Sequence, residues 1–211
     1  TVLGRTVVDD NYFSGMEIIT EFDVTQYLGY KELSSKSEGD NTDEIFRAGS
    51  HGVQRVAVIG AGSAAILVYD AILKRSDQVV VCFFDNYKSN NYRIAGVGVE
   101  GLATAESIYS KFKDNLFDAV VISPGLLPFR KDLFEELIRL EVPFANVIHP
   151  SVEIGTNVEI GFGNVIFGGT MIGPRTKIGN NNFIATRCNF EHDNEILDHN
   201  SFGPSVTTSG F

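Results

Sequence analysis

The chain has 211 residues, 43% of them hydrophobic, which is enough for one or two sizeable cores and excludes a chain disordered throughout. Its formal net charge of −10, from 27 acidic and 17 basic residues, excludes a duplex nucleic-acid binder that needs a basic footprint and leaves small-molecule chemistry as the better fit. No apolar run approaches roughly 18 residues and the first residues lack a basic-then-apolar leader pattern, so neither export nor membrane insertion is expected.

Cys82 and Cys188 are the two cysteines and form no CxxC pair, so the sequence offers no disulfide framework and no thiolate metal site; a reducing cytoplasm is the expected compartment. The sequence begins at Thr1 rather than Met, and the natural protein is expected to be longer.

Residues 1–52 carry 10 acidic and 4 basic residues. Short apolar runs at 6–8 and 17–22 predict a few strands, and the stretch 32–52, rich in Ser, Asp, Glu and Gly, reads as a linker; this extension has no assignable role. From Val53 the pattern changes to a short apolar strand, a glycine turn, and a helix whose apolar face is expected to be Ile66, Val68, Tyr69, Ile72 and Leu73. Buried strands are predicted at 78–85 and 117–123, followed by an amphipathic helix at 130–140. The order βαβ…βαβ over 53–147 predicts a small, Rossmann-like parallel α/β domain.

The turn Gly60-Ala61-Gly62-Ser63-Ala64-Ala65 fits GxGxxA between a strand and a helix, so its backbone N–H groups and the helix N-terminus suit a pyrophosphate. Asp85 follows at the end of the next strand, where an acid can bond a ribose or base; Asn86 stands beside it, and Gly125 after the third strand is another edge of such a pocket. Gly60, Gly62, Ser63, Asp85, Asn86 and Gly125 are therefore candidate nucleotide-binding residues. The same constellation is a dinucleotide fingerprint, which keeps an NAD-dependent oxidoreductase as an alternative.

Residues 148–211 carry a different signal. Ile148, Ile154, Ile160, Ile166, Ile172, Ile178, Ile184, Phe190, Ile196, Phe202 and Thr208 recur at every sixth position, ten of the eleven large and apolar. An α-helix would need spacings of three and four; a period of six predicts a parallel β-helix in which three hexads close one triangular coil, with each Ile pointing inward. Gly follows the apolar residue in IGTNVE, IGFGNV, IGPRTK and IGNNNF, where a positive φ is expected at each corner, and Asn-rich stretches such as GNNNF are expected to serve the same turns. The coil begun at Phe202 is unfinished at Phe211, so further chain, or another chain, is expected to cover its apolar end.

Within these hexads NFEHDNE sets His192 between Glu191 and Asp193. A carboxylate can hold one ring nitrogen protonated and leave the other to accept a proton near neutral pH, so His192 is a candidate general base, Asp193 its preferred orienting acid and Glu191 a further candidate. His149, His192 and His199 do not share a hexad register, which argues against a metal site. A bare scaffold that binds a sugar nucleotide or a partner protein is the non-enzymatic alternative.

On IHPSVEIG, the hexads and CNFEHDNEI, preceded in order by VAVIGAGSAAILVYDAI, VCFFDN, IAGVGVEG, DAVVISPG and FANVIHP, residues 53–211 resemble the bacterial sugar O- and N-acyltransferases, which include sialic acid O-acetyltransferases and nucleotide-aminosugar N-acetyltransferases. The resemblance implies a left-handed β-helix over 148–211, a homotrimer with His192 near an interface between chains, and a nucleotide-sugar substrate on the glycine turn. It implies direct transfer from acetyl-CoA with His192 as base and Asp193 in support, with the Gly210 N–H against the thioester carbonyl. The family often has a histidine in the glycine turn, where this chain has Ala64-Ala65, and another nine residues after the base, where Ser201 stands; Ser201 is thus a candidate acetyl-CoA contact.

Overall fold

The structure is a computed structural model that describes residues 53–124 and 127–210. The expected strands and linker in 1–52, the candidate Gly125, and Phe211 lie outside the described residues.

The chain enters through β1 (Gln54–Ile59), turns at Gly60 and runs into α1 (Ser63–Leu73), β2 (Gln78–Phe84), a hairpin of β3 (Arg93–Ile94) and β4 (Val97–Gly101), α2 (Ala105–Lys113), β5 (Ala119–Ile122) and α3 (Leu127–Arg139). The sheet order is β3-β4-β2-β1-β5, parallel except for β3 against β4. Both faces of β1 are buried: Val56 and Val58 pack with Ala65, Val68 and Ala71 of α1, whereas Ala57 and Ile59 pack with Phe117, Leu133 and Leu137. Covering on both sides is what a near-continuous apolar strand requires. The hairpin at 93–101 was not expected from the sequence.

The apolar face of α1 matches the expected one at Val68, Tyr69 and Ile72 and differs at Ile66 and Leu73. Ala65, Val68, Ala71 and Ile72 are buried, whereas Ile66, Leu67 and Leu73 are 50%, 50% and 45% exposed. Small alanines let the helix lie close to the sheet beside Val68 and Ile72, and Ile66, Leu67 and Leu73 are left outside.

Eleven two-residue strands follow, one per hexad: β6 (Val147–Ile148), β7 (Glu153–Ile154), β8 (Glu159–Ile160), β9 (Val165–Ile166), β10 (Met171–Ile172), β11 (Lys177–Ile178), β12 (Phe183–Ile184), β13 (Asn189–Phe190), β14 (Glu195–Ile196), β15 (Ser201–Phe202) and β16 (Thr207–Thr208). They make three parallel sheets, β7-β10-β13-β16, β8-β11-β14 and β6-β9-β12-β15. Ile154 pairs with Ile172, Ile172 with Phe190 and Phe190 with Thr208, so one coil takes 18 residues. Ile166, Ile172, Ile178, Ile184, Phe190 and Ile196 fill the interior, and each fully buried isoleucine contributes roughly 2 kcal/mol. Ile154, expected inside, is 48% exposed because it lies in the first coil, with β10 on one side only.

The corners turn by a rule other than the expected one. Positive φ falls three residues after the inward residue, at Asn157, Gly163, Gly169, Arg175, Asn181, Arg187, Asp193, His199 and Ser205. Gly155, Gly161, Gly173 and Gly179 have no positive φ. They are glycines because the neighbouring coil crosses them: a Cβ on Gly155 would sit 2.6 Å from Pro174 N, and one on Gly173 2.6 Å from Glu191 C. Asn182 serves a ladder as well as its turn. Asn164 N donates to Asn146 Oδ1 at 2.9 Å, Asn182 N to Asn164 Oδ1 at 2.9 Å and Asn200 N to Asn182 Oδ1 at 2.8 Å, one step per coil.

Coils and α/β layer share packing. Val147, Val165 and Phe167 belong to the same core as Val56 and Val68, and Arg75 donates to Ile148 O at 2.8 Å. Arg130 of α3 is fully buried; its guanidinium donates to Ile122 O, to Pro124 O at 3.1 Å and to Asn181 Oδ1 at 2.9 Å, and Asn181 Nδ2 returns a bond to Arg130 O. Burial brings the guanidinium down to about 10, which leaves it charged at neutral pH. Arg130→Met keeps the volume but strands these acceptors, and should destabilise the fold by about 2–4 kcal/mol in urea unfolding; a loss under about 0.5 kcal/mol would show that the buried bonds contribute nothing net.

Candidate active site

Three hexads after Ile172 comes Phe190, and the corner that follows it carries Glu191, His192 and Asp193. Asp193 adopts φ 59, a left-handed conformation that Asp tolerates better than most residues. This sets its carboxylate beside the preceding imidazole: His192 Nδ1 lies 2.7 Å from Asp193 Oδ2, with the histidine side chain 47% exposed and the aspartate 21%. An Nδ1–H donated to this carboxylate selects the tautomer with its lone pair on Nε2.

A second partner holds the aspartate. Arg175, one coil earlier at the equivalent corner, donates from Nε to Asp193 Oδ1 at 2.6 Å and from its terminal nitrogen to Oδ2 at 2.5 Å. Arg175 first and His192 next hold the Asp193 carboxyl down to about 2, well below the usual carboxylate range. The guanidinium is raised in turn by the same aspartate.

The corner borders an open cleft of about 470 Å³ lined by Glu153, Gly155, Gly173, Arg175, Glu191 and His192, among others. Glu191 Oε1 accepts from Asn189 Nδ2 at 3.3 Å. Gly210, one coil after His192, comes so close that a Cβ there would lie 2.5 Å from the ring Cε1 and 2.8 Å from Nε2. Only a glycine brings main chain this near the imidazole. His192, Asp193, Glu191 and Gly210 are therefore together. Ser201 is not with them in this chain: it lies in β15, on the sheet that faces away from the corner between β13 and β14.

The nucleotide-site candidates gather at the ends of β1 and β2. Gly60 has φ +93, and a Cβ there would meet Ser123 Oγ at 2.7 Å and Pro124 at 2.9 Å, so the first glycine is fixed by turn and packing alike. Around Gly62 nothing lies within 4 Å of such a Cβ, and α1 starts at Ser63 with no side-chain cap on its first amides. Asp85 turns its carboxylate onto main-chain amides. Its Oδ2 accepts from Ala61 N at 2.7 Å, and its Oδ1 from Tyr87 N at 2.8 Å and Lys88 N at 2.9 Å. Asn86 Oδ1 accepts from Ala103 N at 2.9 Å, which fastens the loop before α2.

Among the described residues no group of three or more His, Cys, Asp and Glu is placed to hold a metal, and no helix is long and apolar enough to cross a membrane. Cys82 and Cys188 are buried free thiols, Cys82 pushed up to about 12 by burial. His199 sits apart, its Nδ1 2.9 Å from Asn181 Nδ2 and its ring edge-on to Phe134.

No protein-family profile and no curated protein matches the sequence. Solved structures do share its fold. A histidine-to-asparagine variant of perosamine N-acetyltransferase from Caulobacter crescentus, in complex with CoA and GDP-perosamine, superposes with TM-score 0.67 at 21% identity over 75% of this chain and 73% of that one. The acetyltransferase domain of PglB from Neisseria gonorrhoeae gives 0.61 at 18% over 74% and 71%. WeeI from Acinetobacter baumannii gives 0.59 at 24% over 74% and 72%. The fold, with its parallel β-helix, is thus one that acetyltransferase structures share, a perosamine N-acetyltransferase among them.

The Asp193 geometry predicts its titration. The folded carboxyl lies below the unfolded value of 3.8, so its stabilising contribution is present above that value and is lost as pH falls toward about 2. A carboxyl-carbon NMR titration should place the Asp193 midpoint near 2; a midpoint at or above 3.8 would contradict the pairing. Gly210→Ala should shift the His192 ring resonances while changing folding stability by less than about 0.5 kcal/mol; unmoved resonances would mean that the main chain does not approach the ring.

Proposed function

We propose that this chain is an acetyl-CoA-dependent acyltransferase that acetylates an amine or hydroxyl of a nucleotide-linked sugar or sialic acid, in surface glycan synthesis. The observation that carries the reading is the His192–Asp193 pair at the edge of the cleft, with the Gly210 main chain against the ring. The acceptor nitrogen or oxygen attacks the thioester carbon while His192 Nε2 takes its proton, and collapse of the tetrahedral intermediate breaks the C–S bond and expels the CoA thiolate, which takes up a proton. Asp193 holds the imidazole and balances its charge once protonated, Glu191 adds negative potential beside it, and the Gly210 N–H donates to the developing oxyanion.

In this reading residues 53–147 form a Rossmann-like nucleotide-sugar domain and 148–211 the acyltransferase domain. Gly60, Gly62, Ser63, Asp85, Asn86 and Gly125 frame the nucleotide site, with Asp85 acting through the turn it holds. The assembly in this reading is a homotrimer with His192 near an interface between chains, and Ser201 is a contact of acetyl-CoA. A cytoplasmic setting suits two buried free thiols and acetyl-CoA as donor. The fold shared with structures that hold CoA and GDP-perosamine supports this assignment.

Release of free thiol from acetyl-CoA, screened against GDP- and UDP-linked amino sugars, tests it. His192→Ala should lower turnover at least about a hundredfold without changing the melting temperature. Turnover within a few-fold of wild type would end the base assignment.

A further inference from the structure

We infer that Arg175 is a positioning residue for the His192 base, clamping the Asp193 carboxylate so that one oxygen stays on Nδ1; the inference rests on the acyl-transfer reading above. A histidine–carboxylate bond at the protein surface is a weak device by itself, because an unheld aspartate rotates away at little cost. At this corner the rotation is blocked. Both carboxylate oxygens are taken by Arg175 in a two-point fork, and the oxygen that reaches Nδ1 is also the one bonded to the terminal guanidinium nitrogen.

The fork is built by the coil. Arg175 and Asp193 occupy the same corner position one coil apart and share the left-handed conformation, with φ 62 and 59. Asp193 N donates to Pro174 O at 3.0 Å, so the two side chains leave adjacent layers side by side. The guanidinium also sets the charge on the pair. With the carboxylate neutralised by a permanent cation, the proton taken by His192 stays on the imidazole and does not pass to Asp193, which keeps the base able to return it.

Arg175 lines the cleft as well, so the competing role is a direct contact to a phosphate of the acyl donor or of the sugar nucleotide. The two roles separate kinetically. As a positioning residue, Arg175→Leu lowers kcat roughly ten- to a hundredfold and leaves both KM values within about twofold. Arg175→Lys, which keeps the charge and loses the fork, recovers part of that loss. Because Arg175 acts through Asp193, adding Arg175→Leu to Asp193→Asn changes kcat by less than about twofold further.

One readout needs no turnover. In full-length protein with nitrogen-15 in its histidine rings, the His192 signal, assigned by its loss in His192→Asn, should show Nδ1 protonated in wild type and a tautomer mixture in Arg175→Leu. A raised KM for either substrate at unchanged kcat, losses that multiply in the double variant, or an unchanged tautomer in Arg175→Leu would each overturn the inference. If wild type turns over no thioester, the acyl-transfer reading falls, and the tautomer measurement still decides whether Arg175 holds the pair.

Discussion

The ladder that advances the chain by 18 residues per coil is the constraint on which the site depends. It places Ile154, Ile172, Phe190 and Thr208 in one column and thereby fixes every other column. Pro174, His192 and Gly210 follow as one corner column, and Arg175 and Asp193 as the next. In a parallel ladder a slip of one residue would exchange inward and outward side chains, exposing isoleucines and burying charges. The apolar interior therefore specifies the geometry of an exposed corner to which it contributes no atom.

The corner illustrates how a scaffold of weak parts can hold an exposed group in place. None of Arg175, His192 and Asp193 is buried enough for a pairwise ion bond to count for much. What restrains them is the shared backbone conformation, the two-point fork and the close main chain at Gly210. The left-handed φ at Asp193 and Arg175 carries a small local cost, and it turns both side chains outward from the same layer edge.

The hexad period was legible because it is a one-dimensional signal: the inward residue repeats every six positions and the structure puts one strand at each repeat. The glycines after the inward residue were visible too, but their cause was not, since it lies in the crossing of Pro174 over Gly155 and Glu191 over Gly173. Asparagines told the same story. Asn146, Asn164, Asn182 and Asn200 look like turn residues until the 18-residue step is applied, when they become a ladder. The same step applied to charges pairs Arg175 with Asp193, so that partner could have been found from the sequence. Arg130 could not, because no period relates α3 to Asn181. The hairpin of β3 and β4 gave too little apolar alternation to be read, and α1 was read only in part because Ala65 and Ala71 join Val68 and Ile72 against the sheet where Ile66 and Leu73 were expected.

Asp85 shows how an acid at the end of a strand can brace the glycine turn beside it. The spacing from Gly60 brings an acid to the glycine turn, where the short chain of an aspartate reaches Ala61 N. Its two oxygens take three backbone N–H groups, so the carboxylate fills part of the donor nest that the turn creates. A pyrophosphate at this turn would then meet the uncapped amides at the start of α1, next to the open space around Gly62, and would find Ala61 already satisfied. In the nucleotide site proposed above, the acid would act by rigidifying the turn and by repelling an anion placed too deep, so a phosphate would sit at the rim of the turn and not on its floor.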